Sequence, residues 1–97
     1  MPVVIAQSTD SDNSYLFTKA GNVFTFVFNG TKQTVPYTIT NANYLPKDNS
    51  ARGMVCSGDA TDFKRTYVNS NTGTVNILAP SSNTSYYGEI VWIRNPS

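Results

Sequence analysis

The side chains able to do chemistry in this 97-residue chain are few: six carboxylates, seven basic groups, one cysteine and no histidine. Without histidine, Ser-His-Asp and Cys-His relays cannot be assembled, and the usual acid–base group that titrates near neutrality is missing. Asp59 and Asp62 lie close together in Ser57-Gly58-Asp59-Ala60-Thr61-Asp62. As a pair they could cleave a glycosidic bond only across a cleft of defined width, and turn-building Asx residues are the preferred reading. Asp10 and Asp12 open like a calcium loop, but the downstream glycine and bidentate glutamate are missing. Cys56 sits in the alternation Met54-Val55-Cys56 of an expected strand, which reads as a buried, inert thiol. A single cysteine forms no intrachain disulfide and no paired metal ligand. No catalytic residue, metal or cofactor is therefore expected, and the chain reads as a non-enzyme.

Binding chemistry is better represented. A tyrosine offers an apolar ring and a hydroxyl to a sugar, and loops on a rigid scaffold are where such groups concentrate. Tyr86 and Tyr87 border a polar loop and Tyr44 and Tyr67 lie near loop ends. The candidate ligand-binding set is Tyr86, Tyr87 and Tyr44 for ring stacking, with Asp59 and Arg52 hydrogen-bonding hydroxyls. All but Arg52, which opens an expected strand, belong to three expected loops, 41–51, 57–62 and 79–87. Trp92, in Ile90-Val91-Trp92-Ile93, is expected in the core or at a subunit interface.

Positioning such loops falls to β-strands, because apolar residues alternate almost everywhere and no useful helical period exists. Strands are expected at Val3–Ala6, Tyr15–Thr18, Val23–Phe28, Gln33–Thr40, Arg52–Cys56, Asp62–Val68, Thr74–Leu78 and Tyr86–Arg94. Val23–Phe28 puts three phenylalanines on one face and Val23, Thr25 and Val27 on the other, as a central strand does. Asn29-Gly30 predicts a hairpin turn that sends Gln33–Thr40 back alongside it. Turns are also expected at Lys19–Asn22 and Asn69–Gly73. The expected architecture is all-β: an antiparallel sandwich or barrel of about seven or eight short strands, forming one domain over residues 1–97. Residues 1–18 could alternatively belong to a neck or linking strand.

Composition narrows the partners. Charged residues make up 13% of the chain and the net charge is +1, with Lys and Arg scattered, so there is no footprint for a phosphate backbone and no nucleic acid is expected. No apolar run approaches a membrane span, and the start, Met1-Pro2-Val3-Val4, is not a signal peptide. A product made in the cytoplasm is expected. Asn29-Gly30-Thr31 and Asn83-Thr84-Ser85 match the glycosylation pattern, as chance allows in a chain one-third Ser, Thr and Asn. A domain this small leaves much surface unburied as a monomer, which points to a partner subunit.

Several steps in the chain share an order with a known family. Gly21-Asn22-Val23-Phe24-Thr25-Phe26-Val27-Phe28 leads through a Thr-rich segment to Leu45-Pro46 and Arg52-Gly53-Met54-Val55. Then follow Thr72-Gly73-Thr74-Val75-Asn76-Ile77 and the closing Tyr87-Gly88-Glu89-Ile90-Val91-Trp92-Ile93. From about Lys19 onward this resembles the head or knob domains of bacteriophage receptor-binding and fibre proteins. Lys47–Gly53 departs from the aromatic-Arg-Pro step the family often carries there. The resemblance implies a homotrimeric knob on the virion surface that attaches the particle to a host cell-surface saccharide. The alternative is a structural fibre or capsid decoration protein that acts through oligomerisation and particle attachment without a ligand.

Overall fold

A computed structural model describes residues 1–8, 13–30, 37–57, 63–77 and 85–94. The chain forms seven strands, β1 (Val3–Gln7), β2 (Asn13–Ala20), β3 (Val23–Gly30), β4 (Arg52–Ser57), β5 (Phe63–Val68), β6 (Val75–Ile77) and β7 (Tyr86–Ile93), with a 3₁₀ turn at Ala42–Tyr44. All pairings are antiparallel, and the strands make one sheet in the order β1-β2-β3-β7-β4-β5-β6, curled into a half-barrel. Two three-stranded meanders are thus joined by the last strand, which inserts between β3 and β4.

Local sequence explains the meanders. Ala20 pairs with Val23 across a two-residue turn in which Gly21 takes a φ of +60°, a conformation glycine adopts without steric cost. Between β5 and β6 the Asn69 side chain accepts bonds from the Asn71 and Thr72 amides at 2.9 and 3.0 Å. There Gly73, at φ +76°, approaches Ile39 so closely that a Cβ would lie 2.0 Å from its carbonyl oxygen. β7 alternates strictly, with Tyr86, Gly88, Ile90 and Trp92 inward and Tyr87, Glu89, Val91 and Ile93 outward.

The concave side holds the core. Phe17, Phe26 and Ile90 are fully buried, Phe24, Phe28, Tyr86 and Trp92 nearly so. Their rings form a continuous stack in which Phe24 lies on Trp92 at 5.7 Å and Phe17 on Phe26 at 5.3 Å. The segment after β3 folds over this stack. Tyr37 stacks on Tyr15 at 5.2 Å, and Ile39 is buried and donates its amide to the Gly73 carbonyl. Tyr44 packs on Phe24, while its carbonyl accepts the Trp92 Nε1–H at 3.1 Å. The Arg94 guanidinium donates to the Leu45 carbonyl at 2.7 Å. Among the described residues no buried side-chain polar atom lacks a partner.

The all-β expectation holds, with two differences in detail. The described part of the expected strand Gln33–Thr40, residues 37–40, does not pair with β3, both of whose edges are taken by β2 and β7 out to Gly30. These residues cross the concave side with Thr38 bridging Thr74. The Asn-Gly preference for a tight hairpin is overridden by the larger ladder that β7 makes with β3. Second, the described residues among the first eighteen supply β1 and most of β2, β1 running to Gln7 and β2 starting at Asn13, with Phe17 in the core.

Candidate ligand-binding site

The outer surface of the β4–β5 hairpin carries a cleft of about 320 Å³, lined by Asn49, Arg52, Arg65, Thr66 and Tyr67. Its construction follows from strand geometry. Arg52 at the start of β4 is the register partner of Tyr67 near the end of β5, so both lie on one face. Arg65 stands two residues before Tyr67 and, by the period of two, shares that face. Thr66, between them, is turned inward and donates its Oγ1–H to the Asn76 carbonyl at 2.7 Å, which ties β5 to β6 beneath the cleft. Asn49 closes the side: its Oδ1 accepts the Ser70 amide at 2.8 Å, holding the 45–51 segment against the turn after β5.

Both arginines are solvent-exposed, and neither guanidinium is hydrogen-bonded or ion-paired to another described residue. Asp48, on the same segment, accepts from the Ser50 amide at 2.9 Å and from its hydroxyl. Those two bonds first, and the positive fields of Lys47 and Arg52 after them, hold its carboxyl below the ordinary carboxylate value. Glu89, on the outer face of β7, accepts the Tyr87 hydroxyl at 3.3 Å. Burial, followed by the neighbouring Glu89, pushes the Tyr87 phenol up.

The five residues singled out from sequence are not brought together. Arg52 is in the cleft. Tyr87 is exposed on the outer face of β7, opposite Cys56, four residues along β4 from Arg52, or roughly 13 Å at the usual strand rise. Tyr86 is corrected to a core residue: it is 4% exposed and meets Phe28 edge-on at 6.1 Å, so it has no free face for a sugar. Its strand parity with Ile90 and Trp92 carries that information, since every second residue faces the same side. Tyr44 lies outside the cleft lining, its ring half-buried against Phe17 and Phe24, where it helps to cap the aromatic stack. Asp59 lies outside the described residues, as do Asp10, Asp12 and Asp62. Arg65 and Asn49 escape sequence reading, and Tyr67 is seen only as a tyrosine near a loop end. Their grouping depends on the β4–β5 register and on the fold of a non-strand segment.

The outer face of β2, β3 and β7 has a different character. Leu16, Val23, Val91 and Ile93 are exposed there, with Val27 between them and Val4 of β1 beside them. Both faces of β3 are apolar, as its sequence indicates, yet only the phenylalanine face is covered.

Among the described residues no group of three or more His, Cys, Asp or Glu side chains is placed to hold a metal, and no helix is long and apolar enough to cross a membrane. No protein-family model, curated protein or solved structure matches this chain.

Proposed function

We propose that this chain is a binding module, the receptor-binding head of a phage fibre or tail, attaching the virion to a saccharide on the host cell surface. The observation that carries the reading is the β4–β5 cleft, where two guanidiniums without a hydrogen-bond or ion-pair partner among the described residues, an amide and a phenol line one concavity on an otherwise low-charge β scaffold. Concave sites with a few converging polar groups on a rigid framework are the usual form of small-ligand sites. Tyr67 supplies the ring for a sugar face and Arg52, Arg65 and Asn49 the hydrogen bonds. The sequence resemblance supplies the viral context and the homotrimer.

Attachment to purified host cell walls or a glycan array tests it. Wild type binds, and Tyr67→Ala with Arg52→Ala abolishes binding while thermal stability is retained. Binding unchanged in that double variant removes the cleft from the reading.

A second reading, a fibre or decoration component acting through self-association, is favoured by the exposed apolar face of β2, β3 and β7. Closed symmetric oligomers bury such surfaces. Light scattering coupled to size exclusion distinguishes the states, a trimer appearing at three times 10.6 kDa. Val91→Asp is expected to shift that species toward the monomer. Self-association without any binding to host cells favours the structural reading over the receptor-binding one.

A further inference from the structure

Building on the saccharide-binding reading, we infer that the β4–β5 cleft selects an anionic sugar, one carrying a carboxylate or a phosphate, over a neutral one. Among the described residues the hydrogen-bonding inventory of the cleft is one-sided. A guanidinium has five N–H donors and no acceptor, and two of the chain's three arginines line this one cavity. The third, Arg94, is committed to the Leu45 carbonyl. Asn49 has its carbonyl oxygen occupied by the Ser70 amide, which leaves its NH₂ to face a ligand. The hydroxyl of Tyr67 is the remaining flexible side-chain group in the lining, because Thr66 is turned inward.

Neutral sugar hydroxyls are both donors and acceptors, so a lining made mostly of donors satisfies only half of each hydroxyl. A carboxylate or phosphate is acceptor-rich and matches the planar fork of arginine with two parallel bonds. Among the described residues no carboxylate lines the cleft, and Asp48, whose carboxyl feels the charge of Arg52, stands outside the lining. Both described carboxylates are engaged elsewhere, Asp48 with Ser50 and Glu89 with Tyr87. Two like charges on one strand-pair face repel each other, and a bound anion relieves that repulsion.

The test is a set of titrations followed by backbone amide NMR at low ionic strength, with D-glucose, D-glucuronate, D-glucose 6-phosphate and inorganic phosphate as probes. The first three share a ring and differ in the group at C6. At least one of the two anionic sugars is expected to bind about ten-fold tighter than glucose, as suits charge-assisted hydrogen bonds. The shifts should centre on Gly53, Tyr67 and Ser70. Which of the two binds tighter distinguishes a carboxylated from a phosphorylated ligand. Arg52→Gln and Arg65→Gln should each weaken the anionic sugars about ten-fold and glucose by no more than about two-fold, while Tyr67→Ala weakens all three sugars alike. Equal midpoints for glucose and both anionic sugars, insensitive to the arginine changes, overturn the anion preference and leave the saccharide reading intact. Inorganic phosphate binding as tightly as glucose 6-phosphate supports an anion site but overturns its use for saccharide. No shift in the cleft with any probe overturns both. Dispersed amide spectra of the variants show that each is folded, since both arginines project from an exposed face.

Discussion

The concave side of β2, β3 and β7 and the outer side of β4 and β5 belong to one sheet, yet they use side chains in opposite ways. On the concave side Phe17, Phe24, Phe26, Phe28 and Trp92 are buried against one another, and the indole N–H is bonded to the Tyr44 carbonyl. On the β4–β5 side Arg52 and Arg65 stand in a cleft with no hydrogen bond or ion pair to another described residue, where solvating water keeps the cost low. Stability therefore concentrates at one end of the sheet and unsatisfied recognition chemistry at the other.

The contrast can be tested by substitution, and the core should respond most. Phe26→Ala removes a fully buried ring that contacts Tyr15, Phe17, Phe28 and Tyr37, and should cost about 3–5 kcal/mol in urea unfolding. A loss under about 1 kcal/mol would mean the stack is not the stabilising centre. Gly53→Ala probes the junction between the two regions. A Cβ there would lie 1.8 Å from the Glu89 backbone oxygen, with no flexible side chain to yield, so β4 must move away from β7. A destabilisation of about 2–3 kcal/mol is expected, as for other overpacked sites, together with loss of amide protection at the β4–β7 ladder.

Alkaline pH should find the concave side again, more gently. Burial raises the phenols of Tyr86 and Tyr37 above their ordinary value of 10.0, with Tyr15 and Tyr44 adding to the effect on Tyr37. The unfolded chain then loses these protons first. The stability they contribute is whole below pH 10.0 and is lost as pH rises through the folded values. The urea midpoint should fall above that pH, and Tyr37→Phe with Tyr86→Phe should flatten the fall. Smallest of all, Arg65→Gln should change stability by no more than about 0.5 kcal/mol, as surface substitutions do. A large loss on that substitution would make Arg65 a structural residue and erase the contrast between the two ends.

Much of the fold was legible because strands announce themselves by alternation. Val23–Phe28 and Tyr86–Ile93 are read directly, and so are the turns at Gly21 and Asn69–Gly73. The hairpin at Asn29-Gly30 was misjudged because turn propensity is local, whereas the eight-residue ladder between β3 and β7 joins segments some sixty residues apart. The site was legible only in part. Arg52 is a residue that both the sequence reading and the cleft lining contain, whereas Tyr86 was chosen by nearness to a loop rather than by which face its side chain occupies. Arg65 has no signal of its own, since its place beside Arg52 exists only once the β4–β5 register is known.

What the sequence determined by itself is therefore periodic and local: the β class, most of the strand positions, the turns at Gly21 and Asn69–Gly73, and the low charge. Side-chain alternation and glycine conformations act within a few residues and need no partner. Tertiary structure alone decided which strands neighbour one another, which tyrosines face the core, and that two arginines thirteen residues apart share a cleft with Tyr67. Those outcomes depend on pairing distant segments, where register and the burial of the whole aromatic stack outweigh any local preference.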